Sequence, residues 1–471
     1  MSDGSLWSRL RRRWAFVPVW VALGVHLLCV AQLLGQPISR DGQTTKPFLL
    51  HALYFDATHR VGPGADFFAL YRAARQLDYG RGAYDAYDLP QSPPYAYPYR
   101  YLPVVADTLG RVFLGLSPDS AYRVWILLLE FTYLAVFWVL MRRLRPTPWR
   151  IPAACILLLA TPWFLEVHMG QFTFLCVALC LGAAWSFEKS ATHMPWRHIL
   201  AHLSLATGVM LKLFPAVVLP AFFVRGNAPR RAAFVVAALL AAAFALSFAN
   251  DIGAWGFFRR TNLSTRELRL DSGNQGFFYA AYASIQALGF RPSRLAWDIG
   301  LKVWQVSAFA LSSLLVWRFG KARLVSAICV LLTTHFVTYH HVWEHHYSAV
   351  IALALAFIAE LWQQPQMQPH RRNELAAVAL LCAALLALPT PYALFDVASA
   401  HHVWDPGVRW PLWKRALLPC FKAIPAFALQ VTLWSSLIPS RSDASQPSGD
   451  FAFTHIGHQG PGLHTHECRE R

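Results

Sequence analysis

Charge is scarce in this chain. Of its 471 residues only 14% are Asp, Glu, Lys or Arg, where a soluble protein of this size carries about 25%. An ordinary water-soluble enzyme is thereby excluded. Acidic charge is the scarcer sign, with 25 Asp and Glu against 42 Lys and Arg. There is no G-x-G-x-x-G turn, no Walker loop and no nucleotide-binding unit. Eight cysteines are present, but no spacing resembles a disulfide framework or a zinc site. Six of them (Cys29, Cys155, Cys176, Cys180, Cys329, Cys382) lie inside apolar runs and read as small buried apolar residues. The first apolar run is too long for a signal-peptide core and lacks a small-residue cleavage site, so it reads as a retained anchor. No internal repeat of the transporter kind shows.

What is abundant is hydrocarbon: 56% of the residues are hydrophobic and 19 are Trp. Apolar runs of about 17–25 residues recur along the chain, each able to cross roughly 30 Å of bilayer core. The expected class is an all-α polytopic membrane protein. Its net charge of +17 then reflects Lys and Arg in cytoplasmic loops, and nucleic acid is not a partner. Arg9, Arg11, Arg12 and Arg13 keep the N-terminus inside, ahead of a span at about Trp14–Leu34. Further spans are expected at about Ala121–Met141, Ile151–His168, Gln171–Phe187, Ala232–Phe248, Trp297–Trp317, Leu324–His340, Tyr347–Trp362, Glu374–Pro391 and Leu417–Ile438. The run His198–Val224 carries Lys212 and Pro215 mid-way. Two short arms breaking there keep Arg225, Arg230 and Arg231 inside and bring Lys212 to the outer interface. The sum is about twelve crossings, with an integral membrane domain over 1–439 and two long extracytoplasmic loops, 35–118 and 250–296. The apolar stretch before Pro118 carries Asp107 and Arg111 and reads as interfacial or re-entrant. The tail 440–471, rich in Ser, Gly and His, is expected to be disordered and cytoplasmic.

Polar chemistry gathers on the outer side of this topology. In the Tyr- and Pro-rich stretch Val61–Tyr101, Asp66 opens a helical pattern. At about 100° per residue it shares a face with Leu70, Ala73 and Leu77, with Arg72 and Arg75 turned away. It serves either as an N-cap after Gly64 or as a general base at the mouth of a membrane site. Glu166, His168 and Gln171 follow where two spans meet, then Lys212, then an Arg-rich loop with Arg259 and Arg260. His340-His341-Val342-Trp343-Glu344-His345-His346-Tyr347 comes last. Ionisable groups at membrane depth are costly and mark function. The histidines could bind zinc, yet a fixed third ligand and a helix context are missing. Contacts to lipid phosphate or sugar fit better, and the alternative is an interfacial Trp/His/Tyr belt.

In this order, Asp66 in ADFFALYRAARQL, Gly80–Tyr84 in GRGAY, Tyr97-Pro98-Tyr99 with Leu102-Pro103, Gly170-Gln171, Lys212-Leu-Phe-Pro215, Asn274-Gln275 and Trp343–Tyr347 resemble glycosyltransferase family 87. The resemblance runs over about residues 61–347. It departs at Tyr99, where the family has a second Pro, and at Gly276, where it has a small hydroxyl residue. The resemblance implies a GT-C fold in the plasma membrane and metal-independent, inverting transfer without a cofactor. A sugar, most often mannose, moves from a polyprenyl-phosphate donor to a lipid or glycan acceptor on the extracytoplasmic face. It implies Asp66 as catalytic base and Lys212, His345 and His346 at the donor phosphate, where cations stabilise the leaving group. Arg259 and Arg260 could assist by charge. Tyr97, Gln171, Asn274, Trp343 and Glu344 are candidates for sugar or acceptor contacts. The rival readings are a lipid or solute transporter, a transferase using a histidine as base, and a structural membrane subunit.

Overall fold

A computed structural model describes residues 16–38, 63–85, 87–90, 92–94, 98–145, 147–188, 195–249, 252–263, 274–320, 323–364, 367–391 and 411–438. Every regular element among them is helical. Six helices are long and apolar enough to cross a membrane: α1 (Val17–Gly35), the α3 helix (Pro118–Arg143), the pair α4 (Arg150–Leu158) and α5 (Thr161–Met169), α9 (Asn227–Phe248), α12 (Arg294–Phe319) and α16 (Leu412–Leu437). Between them run α2 (Ala65–Asp78), α6 (Thr173–Glu188), α7 (Pro195–Leu211), α8 (Leu219–Arg225), α10 (Ile252–Phe258), α11 (Phe277–Ala287), α13 (Leu324–Thr338), α14 (Tyr347–Leu361) and α15 (Pro369–Ala387). The chain is a polytopic helical membrane protein. The tail 440–471 lies outside the described residues.

The helices sort into centre and rim. All fifteen residues of α14 are buried, and α13 is buried over nearly its whole length. Each is predominantly apolar around its circumference, as befits a helix enclosed by other helices. The α9 and α12 helices instead present Phe234, Leu246, Val306 and Trp317 outward, where lipid rather than protein satisfies an apolar surface. The break anticipated at Lys212 is present. The α7 helix stops at Leu211, a tight 3₁₀ turn runs over Phe214–Val218, and α8 resumes at Leu219. Pro215 lacks the N–H that a continuing α-helix would need there.

Two local expectations are corrected. Asp66 does not cap α2; Gly64 does, and no side chain accepts a capping bond there. Nor do Arg72 and Arg75 turn away to solvent, since every residue from Ala65 to Gln76 is buried. The helix is enclosed by its own loop, with Arg72 donating to the Tyr87 carbonyl and Asp88. Hydrophobic periodicity reports two faces only where one of them meets water. The second loop also holds more structure than its polar composition suggested, because α11 packs along α16, where Phe277 stacks on Phe427 at 4.4 Å.

Candidate functional site

Two glycine turns bring the first loop against the bundle. Gly64, at φ +77°, starts α2 and donates its N–H to the His168 carbonyl at 2.6 Å. Gly170, at φ +67°, ends α5, and a Cβ there would lie 2.6 Å from that of Phe67. Only glycine tolerates both the left-handed turn and the contact. The carbonyls of His168 and Gly170 are also held by the Tyr122 hydroxyl at 2.7 Å and the Trp125 indole at 2.9 Å. The first turn of α2 therefore lies on the α5–α6 junction, and Asp66 meets Gln171.

Asp66, Gln171 and Lys212 form a chain of contacts. Gln171 hydrogen-bonds the Asp66 carboxylate, and its Oε1 accepts from Lys212 Nζ at 2.6 Å. Lys212 also donates to Thr173 Oγ1 at 2.7 Å and lies 5.1 Å from the Phe172 ring centre, a cation–π distance. The helix break frees the chain at Lys212 to enter this space. Asp66 occupies the first turn of α2, where backbone N–H groups favour a carboxylate. It is 6% exposed, and its Oδ2 has no hydrogen-bond partner. Burial raises its carboxyl to about 6, against the pull of Lys212 and Arg100 and the Gln171 hydrogen bond. A carboxylate so placed can accept a proton near neutral pH.

These groups line a cavity of about 350 Å³, within the range of small-molecule sites. Of the residues anticipated from sequence, it brings together Asp66, Gln171, Lys212, Trp343, His345 and His346. Burial, the Lys212 charge and His341 push the His345 imidazole well below its ordinary value. His346 is lowered likewise by burial, His345 and Lys212. Burial thus favours the neutral form of both rings, which can hydrogen-bond a phosphate. His345 is 1% exposed with both ring nitrogens unpartnered, whereas His346 Nδ1 accepts from the Trp343 N–H at 2.9 Å.

Four anticipated residues do not face the cavity. Arg259 and Arg260 are exposed, although Phe258 and Asn262 on either side of them line it. Asn274 is spent on backbone: its Oδ1 accepts from Gly276 and Val342 and its Nδ2 donates to His340. Glu344 points to the rear, toward Thr390 and Lys422. Tyr97 lies outside the described residues. Sequence reasoning missed Arg100, Tyr101, Thr173 and His335, all of which line the cavity. The rule that ionisable groups at membrane depth are costly could have singled out His335, alone in an apolar helix. Arg100 and Tyr101 carry no such local signal. They are placed by the Tyr84 hydroxyl, which donates to the Tyr101 carbonyl at 2.8 Å while its ring stacks on Phe257 at 4.8 Å.

An all-helical membrane bundle with a cavity lined by a carboxylate, a lysine, an arginine and histidines defines the class; the sequence comparisons define the family. The family model described as glycosyltransferase family 87 matches residues 103–339, half of the chain. The chain belongs to that family and is a membrane glycosyltransferase. Asp66 and the Trp343–His346 segment lie outside the matched range. No curated protein matches the sequence. Among solved structures, ArnT from Cupriavidus metallidurans in the apo state is similar at 13% identity, over 93% of this chain and 78% of that one, with a TM-score of 0.32. The same protein bound to undecaprenyl phosphate is similar at 13% identity, over 89% and 77%, with a TM-score of 0.38.

Proposed function

We propose that the chain moves a sugar, mannose by family precedent, from a polyprenyl-phosphate donor to a hydroxyl of a lipid or glycan acceptor. The reaction is a single inverting displacement on the extracytoplasmic side of the plasma membrane, with both long loops on that side and the tail inside. Asp66 Oδ2 takes the acceptor hydroxyl proton as that oxygen attacks the anomeric carbon. The bond from that carbon to the phosphate oxygen breaks, and polyprenyl phosphate leaves with the electron pair. Lys212, together with Arg100, offsets the charge that develops on the phosphate, and His345 supplies an uncharged hydrogen bond. Trp343 and Tyr101 offer faces on which a sugar ring can rest. The observation that carries the reading is the unpartnered oxygen of a buried carboxylate, linked through one glutamine to the cavity lysine.

The test uses purified wild type and Asp66→Asn in detergent with short-chain polyprenyl-phosphate mannose and a membrane-lipid extract, with and without EDTA. Release of polyprenyl phosphate by wild type should survive EDTA and be absent from the variant. Release by both proteins would move the base elsewhere, and release by neither across varied donors would overturn sugar transfer.

A further inference from the structure

The segment between α13 and α14 has a front and a back. His341, Trp343, His345 and His346 line the cavity, whereas Val342 and Glu344 pack behind it. Trp343 is extended at φ −94°, ψ 161°, and Glu344–His346 then form a single 3₁₀ turn from which the Glu344 side chain leaves toward the back. Residues distant in sequence hold the back. The Val342 N–H donates to Asn274 Oδ1 at 3.1 Å and its carbonyl accepts from the Gln275 N–H at 2.7 Å. The Tyr347 hydroxyl donates to the Gln275 carbonyl at 2.7 Å.

The remaining anchor is ionic. Glu344 Oε1 accepts from the Thr390 N–H at 3.0 Å and faces Lys422 Nζ at 3.4 Å. Lys422 is 1% exposed, between Pro419 and Pro425 on α16. Its ammonium also donates to the carbonyls of Leu386, at 2.7 Å, and of Leu388, at the C-terminal end of α15. Those carbonyls have no partner within their own helix, so one ammonium satisfies a helix end and a carboxylate with its three donors. Thr390 closes the ring by accepting from Gln275 Nε2 at 2.9 Å. Three segments are thus tied through Glu344 to a lysine beyond the family-matched range.

We propose that Lys422 and Glu344 are a positioning pair that fixes the register of the 341–346 segment, so that Trp343 and His345 meet the phosphate-bearing end of the donor. The proposal deepens the transfer reading and rests on it for the donor's identity. Without this anchor Glu344 is free to turn from Thr390 and Lys422 toward the cavity. A carboxylate would then face the donor phosphate. Neither member of the pair touches the reacting atoms.

The test compares wild type, Lys422→Met and the double variant Lys422→Met/Glu344→Gln in detergent. Melting temperature, the Kd of short-chain polyprenyl phosphate from tryptophan fluorescence, and donor and acceptor KM with kcat are measured on each. Lys422→Met leaves a buried carboxylate uncompensated and should melt lower. The double variant leaves no uncompensated charge at this pair and should recover the wild-type melting temperature. Its Kd and donor KM should nonetheless stay at least about tenfold raised with the acceptor KM unchanged, because a neutral pair holds the register less firmly. A double variant that regains wild-type melting and wild-type phosphate affinity together would reduce the pair to a stability element and overturn the proposal. Wild type that binds polyprenyl phosphate but releases none from any donor would sink the transfer reading alone, and the pair would still be judged on the Kd ratio. Wild type that binds no polyprenyl phosphate would sink both.

Discussion

Two of the buried polar clusters in this bundle differ in how fully the protein satisfies them. Where α1 meets α3, His26 Nε2 contacts Glu130 Oε1 at 2.7 Å and Nδ1 contacts the Leu158 carbonyl at 3.0 Å. The Trp163 indole donates to Glu130 Oε2 at 3.1 Å, and Tyr133 stacks on Trp163 at 4.1 Å. Each of these polar atoms has a protein partner. Around the cavity, by contrast, Asp66 Oδ2 and both nitrogens of His345 have none. An unsatisfied buried polar atom costs about 1–3 kcal/mol, and native structures hold few of them. The scaffold saturates the first cluster, whereas Asp66 Oδ2 and the His345 nitrogens belong to cavity-lining side chains, where a substrate can complete their hydrogen bonding.

If that division is right, substitutions in the two clusters fail in different assays. The largest effect should come from Asp66→Asn, with turnover falling by about 10²–10⁴, the range of a lost general base. Stability should move the other way. The folded carboxyl titrates at about 6 rather than its ordinary 3.8, so its ionisation opposes folding, and stability drains away as pH rises between those values. The Asn variant should therefore melt higher at pH 7, by on the order of 1–3 kcal/mol; a lower melting temperature would assign Asp66 to the structural cluster. Next is Glu130→Ala, which removes the partner of both His26 Nε2 and the Trp163 indole and should lose about 1–3 kcal/mol for each buried group left unsatisfied. Turnover per folded molecule should stay at the wild-type level, and a kinetic defect at full folding would blur the contrast. Third, Lys212→Met should cut kcat by about 10²–10³, as loss of one preorganised transition-state contact does. The smallest and most diagnostic effect is on the pH profile. The acid limb of kcat/KM should lie near pH 6 in wild type. It should move upward in Lys212→Met, because that ammonium lowers the Asp66 carboxyl. An unmoved limb would mean that another group titrates.

Much of the architecture was legible because it depends on local properties of the chain. Run length and hydropathy mark the apolar helices, and a proline beside a lysine gives the break at Lys212. These quantities need only neighbours in sequence. The same logic failed at α2, where the enclosing loop removes the water-facing side that periodicity assumes. It also failed to sort the HHVWEHHY run, whose residues look alike in composition. Only the fold turns His345 to the cavity and Glu344 to Lys422. Arg259 and Arg260 were singled out by charge, and the fold leaves them exposed, whereas Arg100 and His335 line the cavity without having been anticipated.

The sequence by itself determined that this is a helical membrane protein with polar groups collected at a few sites, because the free energy of placing side chains in hydrocarbon is set residue by residue. The tertiary structure alone decided which of those groups share a cavity and which spend their hydrogen bonds on the scaffold. Contacts such as Asp66 with Gln171 and Glu344 with Lys422 join segments far apart in the chain, and their partners exist only once the helices have packed.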